Sequence, residues 1–241
     1  MRLICVLIFA IPMLAAPAES LLGLATSGTG RREVLGFPLQ IVMVMTALTV
    51  LPAILVSLTP FLRISIVLHF LRQALGTQTV PSNQVLVGLS LFLSLLVVQP
   101  VLREVYEKAW APMEQGHLSG TEAMEQGARP IKSFLLRFAK ERDISLILEI
   151  TKSATPRHAT DLELQVLAPA YVLSELKVAF QIGAVLFLPF LIIDIVVASV
   201  TLSIGMVQLP PVMVSAPFKI LLFVLVDGWG LVVGSLMKSF Q

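Results

Sequence analysis

Charge is scarce in this 241-residue chain: Asp, Glu, Lys and Arg make up 13% of it, against 56% from the apolar set. A water-soluble domain carries about a quarter charged residues, so a soluble globule is excluded and a membrane is the implied solvent. A surplus of one sign is also lacking. The 17 basic and 15 acidic residues leave a formal charge of +2, too balanced to steer nucleic acid, which is not an expected partner. Cysteine occurs once, as Cys5, in a segment expected to be removed, so disulfides, thiol catalysis and cysteine metal sites drop out. A mature chain without cysteine suits an oxidising compartment. The three histidines, His69, His117 and His158, stand 41 to 48 positions apart, without metal-ligand spacing. The sequence has no phosphate loop, no dinucleotide glycine pattern and no G-x-S-x-G elbow. No catalytic residue, metal or cofactor is therefore expected, and the chain reads as a non-enzyme.

What is present is arranged in blocks. Residues 1–18 combine a basic start (Arg2), an apolar stretch from Leu3 to Leu14 and the small-residue sequence Ala16-Pro17-Ala18, which reads as a cleavable signal peptide. An uncleaved first span is the alternative, but about 12 apolar residues cannot cross a core of roughly 30 Å. Residues 19–38, with Gly23, Gly28, Gly30 and Gly36, read as a flexible lead-in. No charge occurs from Val34 to Leu62 or from Gln73 to Leu102, so residues 39–102 are expected to form a first hydrophobic hairpin. Prolines 52, 60, 81 and 100 predict kinks or ends in it, and Ser82 and Asn83 are candidate caps. The connector with Arg63, His69 and Arg72 is expected on the cytoplasmic side, which places the next region outside.

That region, 103–168, holds nine of the 17 basic and ten of the 15 acidic residues. Arg129-Pro130 predicts a helix start, followed by an apolar stripe at Ile131, Phe134, Leu135 and Phe138. A second amphipathic segment runs from Ile144 to Thr151 with Asp143 placed to cap it, and 155–161 reads as a loop. Residues 169–241 then form a second hydrophobic hairpin, Ala179 to Leu202 returning through Phe218 to Leu236, with a Met/Pro loop at 205–217. The fold class that follows is an all-α membrane protein: two hydrophobic helical hairpins flanking a small polar helical region.

Charge inside an apolar run is costly enough to require a partner or an aqueous path. Glu175 opens one arm of the second hairpin and Lys219 the other, so an ion pair between them, within or between subunits, would neutralise both. The alternative is that each reaches an interface alone. Asp194 has no charge within sixteen residues on either side. Proton relays use chains of acids, so a hydrogen-bonded subunit contact is the expected role. The loop Gly205-Met206-Val207-Gln208-Leu209-Pro210-Pro211 is irregular, tolerated at membrane depth only where protein covers it or a cavity adjoins it. Methionine there suits a seal that opens.

Several long strings resemble one family. Thr59-Pro60-Phe61-Leu62-Arg63-Ile64, Leu71-Arg72-Gln73-Ala74-Leu75-Gly76-Thr77 and Pro81-Ser82-Asn83-Gln84-Val85-Leu86 are similar to the first hairpin of the FliP family, the flagellar branch of the type III secretion export gate. The likeness continues through Pro169 to Gly183, Pro189 to Asp194, Pro217-Phe218-Lys219 and Asp227-Gly228-Trp229. The resemblance implies a homo-oligomer, a pentamer in the family, joined with FliQ and FliR in a helical or ring-like assembly. It implies FlhB and FlhA as neighbours, an inner-membrane place in the flagellar basal body, where the charge bias puts the polar region on the periplasmic side, and unfolded flagellar proteins as cargo. Glu175 and Lys219 fall on family positions that form a salt bridge holding the gate, and Phe134 on an aromatic used in subunit packing. The loop from Gly205-Met206 falls on the family's methionine gasket. Where relatives show a run of methionines this chain has Met206-Val207-Gln208, implying a seal that is looser or completed by another subunit.

The signal peptide favours the flagellar branch over the virulence injectisome, which remains the alternative. A secondary transporter would show inverted repeats, and segments 39–102 and 179–237 share no matching polar positions. The family also implies hairpins stacked largely above the bilayer plane, so a simple spanning orientation does not follow from hydropathy.

Overall fold

A computed structural model describes residues 33–77, 79–153, 161–205 and 210–240. The expected signal peptide, most of the lead-in, the loop 155–160 and the seal residues Met206, Val207 and Gln208 lie outside them. Among the described residues the chain is helical and contains no strand. The order is α1 (Glu33–Ser57), α2 (Phe61–Ala74), α3 (Asn83–Val105), α4 (Gly120–Phe138), α5 (Glu141–Thr151), α6 (Leu164–Ser203), α7 (Pro211–Leu225) and α8 (Gly228–Lys238). Helix α3 continues through a π turn at Tyr106–Trp110 into Ala111–Glu114. Two compact units result, one made of residues up to Leu55 with Arg103–Ile131, the other of Val56–Leu102 with Lys132–Gln241.

The first unit takes its order from local chemistry. In α1 the hydroxyls of Thr46 and Thr49 donate to the carbonyls of Val42 and Thr46, which satisfies them inside an apolar helix. The ion pairs Arg103–Glu107 and Lys108–Glu104, each four residues apart, join the last turn of α3 to the π turn. Helix α4 begins with a reciprocal capping box. The Ser119 N–H donates to Glu122 Oε2 at 2.9 Å, and the Glu122 N–H donates back to Ser119 Oγ at 3.3 Å. The Ser119 backbone and hydroxyl hold the Glu122 carboxyl below its ordinary pKa. This box starts α4 ten residues before the expected start at Pro130, which lies inside the helix.

In the second unit, α2 is the centre. Ile64, Val67, Leu68, Leu71 and Ala74 recur at three- and four-residue steps and are fully buried, so the connector expected between two spans is instead a core helix. Its apolar stripe packs with Leu86 and Leu93 of α3, Ala179 and Phe190 of α6, Phe223 of α7, and Leu236 and Phe240 at the end of α8. The interface between α2 and α6 is the most extensive. Gly183 makes it close: a Cβ there would stand 2.7 Å from the Phe70 ring, which meets Phe180 edge-on at 5.4 Å.

Three further expectations change. Asn83 opens α3, but its Oδ1 accepts from Arg72 Nη1 at 2.6 Å instead of capping the helix. Helix α6 is one continuous helix of 40 residues through Pro169 and Pro189, beginning at Leu164. The return arm is broken, with α7 and α8 meeting at 66°.

By length and apolarity the stretches Asn83–Glu114 and Leu164–Ser203 qualify as membrane spans, and α7 with α8 qualifies if taken as one bent span. Forty residues of α6 extend about 60 Å, twice a hydrocarbon core of about 30 Å. The helix divides accordingly. Its first half buries Tyr171, Ser174 and Glu175, whereas its second half exposes Leu188, Ile192, Ile195, Val196, Val200 and Leu202.

Candidate functional site

Three polar locks bind the second unit, all in surroundings where an unpaired charge is costly. The first joins α2 to α6. Arg63 Nε donates to Glu175 Oε2 at 2.7 Å and its Nη2 donates to Oε1, a forked pair in which Arg63 is 3% exposed and Glu175 0%. Nη1 is left for Ser239, donating to its Oγ at 3.0 Å and its carbonyl at 3.3 Å. The guanidinium also lies 4.1 Å from the centre of the Phe240 ring and 5.7 Å from that of Phe138. One side chain thus ties together α2, α6, the end of α4 and the turn after α8.

The second lock joins α6 to α7. Lys219, 2% exposed, donates to Asp194 Oδ2 at 2.6 Å, and the Ser215 hydroxyl donates to Oδ1 of the same carboxylate. Ser215 and Lys219 stand four apart on α7 and so share a face. Asp194 is less enclosed than its partner, with a side chain 22% exposed.

The third lock joins α5 to α6 on the polar side. Asp143 accepts from the Ser174 hydroxyl at 2.7 Å and from the Lys177 ammonium, while Ser174 Oγ accepts the Lys140 backbone N–H at 2.9 Å. Asp143 is therefore not the cap of α5. Lys140 occupies that position, and the carboxylate is buried beneath the helix instead. Burial opposes its ionisation, but hydrogen bonds from Lys177 and Ser174 and the charges of Lys177 and Lys140 outweigh burial and hold its pKa below the ordinary value.

A pH dependence follows from that sign. The lowered pKa means that Asp143 contributes stability that is complete above the unfolded value of about 3.9 and is lost as pH falls through the lower folded value. Asp143→Asn should cost about 1–2 kcal/mol at neutral pH, the smaller figure for a charged hydrogen bond because Lys177 is partly exposed to water. The gap between variant and parent should begin to close below about pH 4 and vanish only once the pH lies below the lowered folded value, which acid titration of the detergent-solubilised protein followed by circular dichroism will show. A gap that persists unchanged into acid would remove Asp143 from the lock.

Among the described residues no group of three or more His, Cys, Asp or Glu is placed to hold a metal. The site's polar residues neutralise one another and join helices. That is a way to hold helices together in an apolar medium. The FliP family profile matches residues 44–236. The chain belongs to the FliP family. It is 50% identical over 201 residues to the flagellar biosynthetic protein FliP of Pectobacterium carotovorum subsp. carotovorum, covering 83% of this chain and 78% of that one. It is 47% identical over 201 residues to the protein of the same name from Bacillus subtilis strain 168, covering 83% and 91%. The relative from Cereibacter sphaeroides is 47% identical over 215 residues, covering 89% and 71%.

In this FliP-family chain the residues singled out from sequence are only partly brought together. Glu175 and Lys219 are both buried and both paired, but not with each other: Arg63 holds the first and Asp194 the second. The reason is that α2 packs on the Glu175 face of α6 and brings Arg63 within forked hydrogen-bonding reach, while Lys219 on α7 faces Asp194. Asp194, expected at a contact between subunits, already has two partners inside the chain. Phe134 stands 5.1 Å from Phe138 and 6.2 Å from Tyr171, within the aromatic cluster that leads to Phe240.

Sequence reasoning marked Lys177 as a charge needing a partner and Asp143 as a cap, but missed Arg63, Ser215, Ser174 and Ser239 as members of these locks. Arg63 had a signal: it precedes Ile64 and aligns with Val67, Leu71 and Ala74 at helical spacing, so a helix burying those residues draws it in. Ser215 likewise lies one turn before Lys219. Nothing local marked Ser239, and the local mark on Asp143 was that of a cap.

Proposed function

We propose that this FliP-family chain is a channel-forming subunit of the flagellar type III export gate, passing unfolded flagellar proteins across the inner membrane. The observation that carries the reading is the family match over residues 44–236, with relatives named as flagellar biosynthetic protein FliP. Those names favour the flagellar gate over an injectisome. On this reading the chain acts as a closed homo-oligomer, a pentamer as in the family it resembles, together with FliQ and FliR and beside FlhB and FlhA. Its polar region lies on the periplasmic side, and it has no catalytic role.

The physical support is the surface of α6 and α7. Leu188, Ile192, Ile195, Phe218, Leu221 and Leu225 are all exposed, apolar and carried on helices whose charges are satisfied within the chain. Such faces suit lipid or sister subunits equally. Within one chain Glu175 and Lys219 are both satisfied, so a pair between them belongs between copies and requires each to exchange its partner on assembly. Native-gel assembly of Glu175→Ala, Lys219→Ala and the double variant tests that point: coupling confined to the oligomer is expected, and additive effects on assembly would remove the pair.

Deleting the gene should abolish swimming and the export of filament subunits, with restoration by the plasmid-borne gene. Native mass spectrometry of the purified protein, alone and co-expressed with FliQ and FliR, should give a closed oligomer that recruits both. A motile deletion strain, or a monomer that ignores those partners, would overturn the proposal. The seal is assigned to Met206, Val207 and Gln208 at the loop between α6 and α7. Met206→Ala should raise ion leak through the closed assembly in planar bilayers, and an unchanged leak would remove Met206 from the seal.

A further inference from the structure

Helix α8 is fastened at its two ends and lightly held between them. At its start the chain turns 66° away from α7, and Asp227 takes the left-handed conformation at φ 50°, which is less costly for aspartate than for most side chains but still costs more than it would for glycine. Gly228 follows against the Phe223 ring, where a Cβ would stand 2.2 Å from the nearest carbon, so the tight turn depends on glycine. At its far end Ser239 and Phe240 close over Arg63 through two hydrogen bonds and the stacked guanidinium. Along α8 itself only Gly228 and Leu236 are fully buried; Val232, Val233 and Met237 are partly buried against the core, while Trp229, Leu231, Ser235 and Lys238 face outward. Regions with so few buried contacts open at low free energy.

Tyr171 is the second observation. It is fully buried, and its hydroxyl meets no hydrogen-bond partner among the described residues. It lies four residues before Glu175 on α6, so both side chains occupy one face, one turn apart. A buried hydroxyl without a partner is a cost of the present arrangement, and such groups call for an explanation. A second arrangement in which Glu175 needs a donor supplies one.

We propose that α8 is a hinged arm, latched by Arg63 on Ser239 and Phe240 and pivoting at Asp227, with Tyr171 as the stand-by donor that holds Glu175 when the latch opens. In the docked state Arg63 serves Glu175 and the turn after α8 together. When that turn leaves, one side of the guanidinium opens to solvent and its fork on Glu175 loosens, and the Tyr171 hydroxyl then donates to the carboxylate. The strain at Asp227 favours leaving, and the apolar seat of Leu236 and Phe240 opposes it.

The test uses the full-length protein in membrane vesicles with the native cysteine removed (Cys5→Ser) and a reporter thiol at the docked face, Leu236→Cys. Met237→Cys, half-buried on the same helix, is the second reporter should the first disturb packing. The quantity read is the labelling rate with a membrane-permeant maleimide. Combined Ser239→Ala and Phe240→Ala should raise it about tenfold, the scale set by losing one stacked cation and a side-chain hydrogen bond. Asp227→Gly, which relieves the strain of the docked turn, and Tyr171→Phe, which removes the stand-by donor, should each lower it about threefold or more. Equal rates across the set overturn the hinged arm. A faster rate in the latch variant with no change in Tyr171→Phe overturns the role of Tyr171. None of these readouts depends on flagellar export, so they stand apart from the functional assignment.

Discussion

Arg63→Ala is expected to destabilise the second unit by about 3–5 kcal/mol, the cost of leaving a buried charge without its partner. Glu175 is fully enclosed, and no other cation lies within ion-pairing distance of it among the described residues. The loss is compounded because the same guanidinium serves Ser239 and faces Phe240. The variant should disappear from membranes through proteolysis, and whatever remains should unfold in detergent at lower temperature. Arg63→Met combined with Glu175→Leu should regain most of the stability, since an apolar pair of similar volume often matches or exceeds a buried ion pair. Exchanging the charges, Arg63→Glu with Glu175→Arg, should not, because an arginine on α6 is not placed to meet Ser239 and the Phe240 ring as well. Quantitative blotting of membranes together with thermal unfolding distinguishes these outcomes. An Arg63→Ala protein as abundant and as stable as the parent would show that the forked pair does not form.

The second large effect is an asymmetry at Asp194 and Lys219. Asp194→Ala strands an ammonium that is 2% exposed, and the expected cost is again about 3–5 kcal/mol. Lys219→Met leaves a carboxylate that is partly exposed and still receives the Ser215 hydroxyl, so its cost should be smaller, about 1–3 kcal/mol. Asp194→Asn with Lys219→Met should lie closest to the parent, having no charge to bury. Unfolding in detergent gives the ranking directly. Equal losses for Asp194→Ala and Lys219→Met would mean that the two groups are equally hydrated, contrary to the packing of α7 on α6. In the isolated chain Glu175 and Lys219 share no partner, so their effects should add within about 0.5 kcal/mol.

How legible these locks were depends on the range of the interaction. The stripe in α2 was present in the sequence as Ile64, Val67, Leu68 and Leu71, but Arg63, His69 and Arg72 in the same stretch made it read as a connector. A single buried arginine does not spoil a core helix when a carboxylate elsewhere completes it, and Glu175 lies 112 residues away. Pro130 read as a helix start because proline favours the first turn. The capping box at Ser119 and Glu122 was a stronger start signal and was overlooked. Asp143 read as a cap for the same kind of reason, being a short acid ahead of an apolar segment. Its burial depends on Ser174 and Lys177, which belong to another helix. The break at Asp227 had a local mark in Asp227-Gly228, but a turn that needs glycine against Phe223 emerges only when α7 and α8 are packed.

Composition and local pattern were enough for the solvent, the helical class, the two apolar blocks around a polar one and the family. Each of these rests on quantities summed over neighbours: hydropathy over twenty residues, periodicity over a few turns, or strings of identical residues. Tertiary structure alone decided which charge answers which, that α2 is core and not connector, and that the last arm is bent. In an apolar medium every charge must be satisfied. Which partner satisfies it depends on which helix face packs against which, across 112 residues for Glu175 and 25 for Lys219.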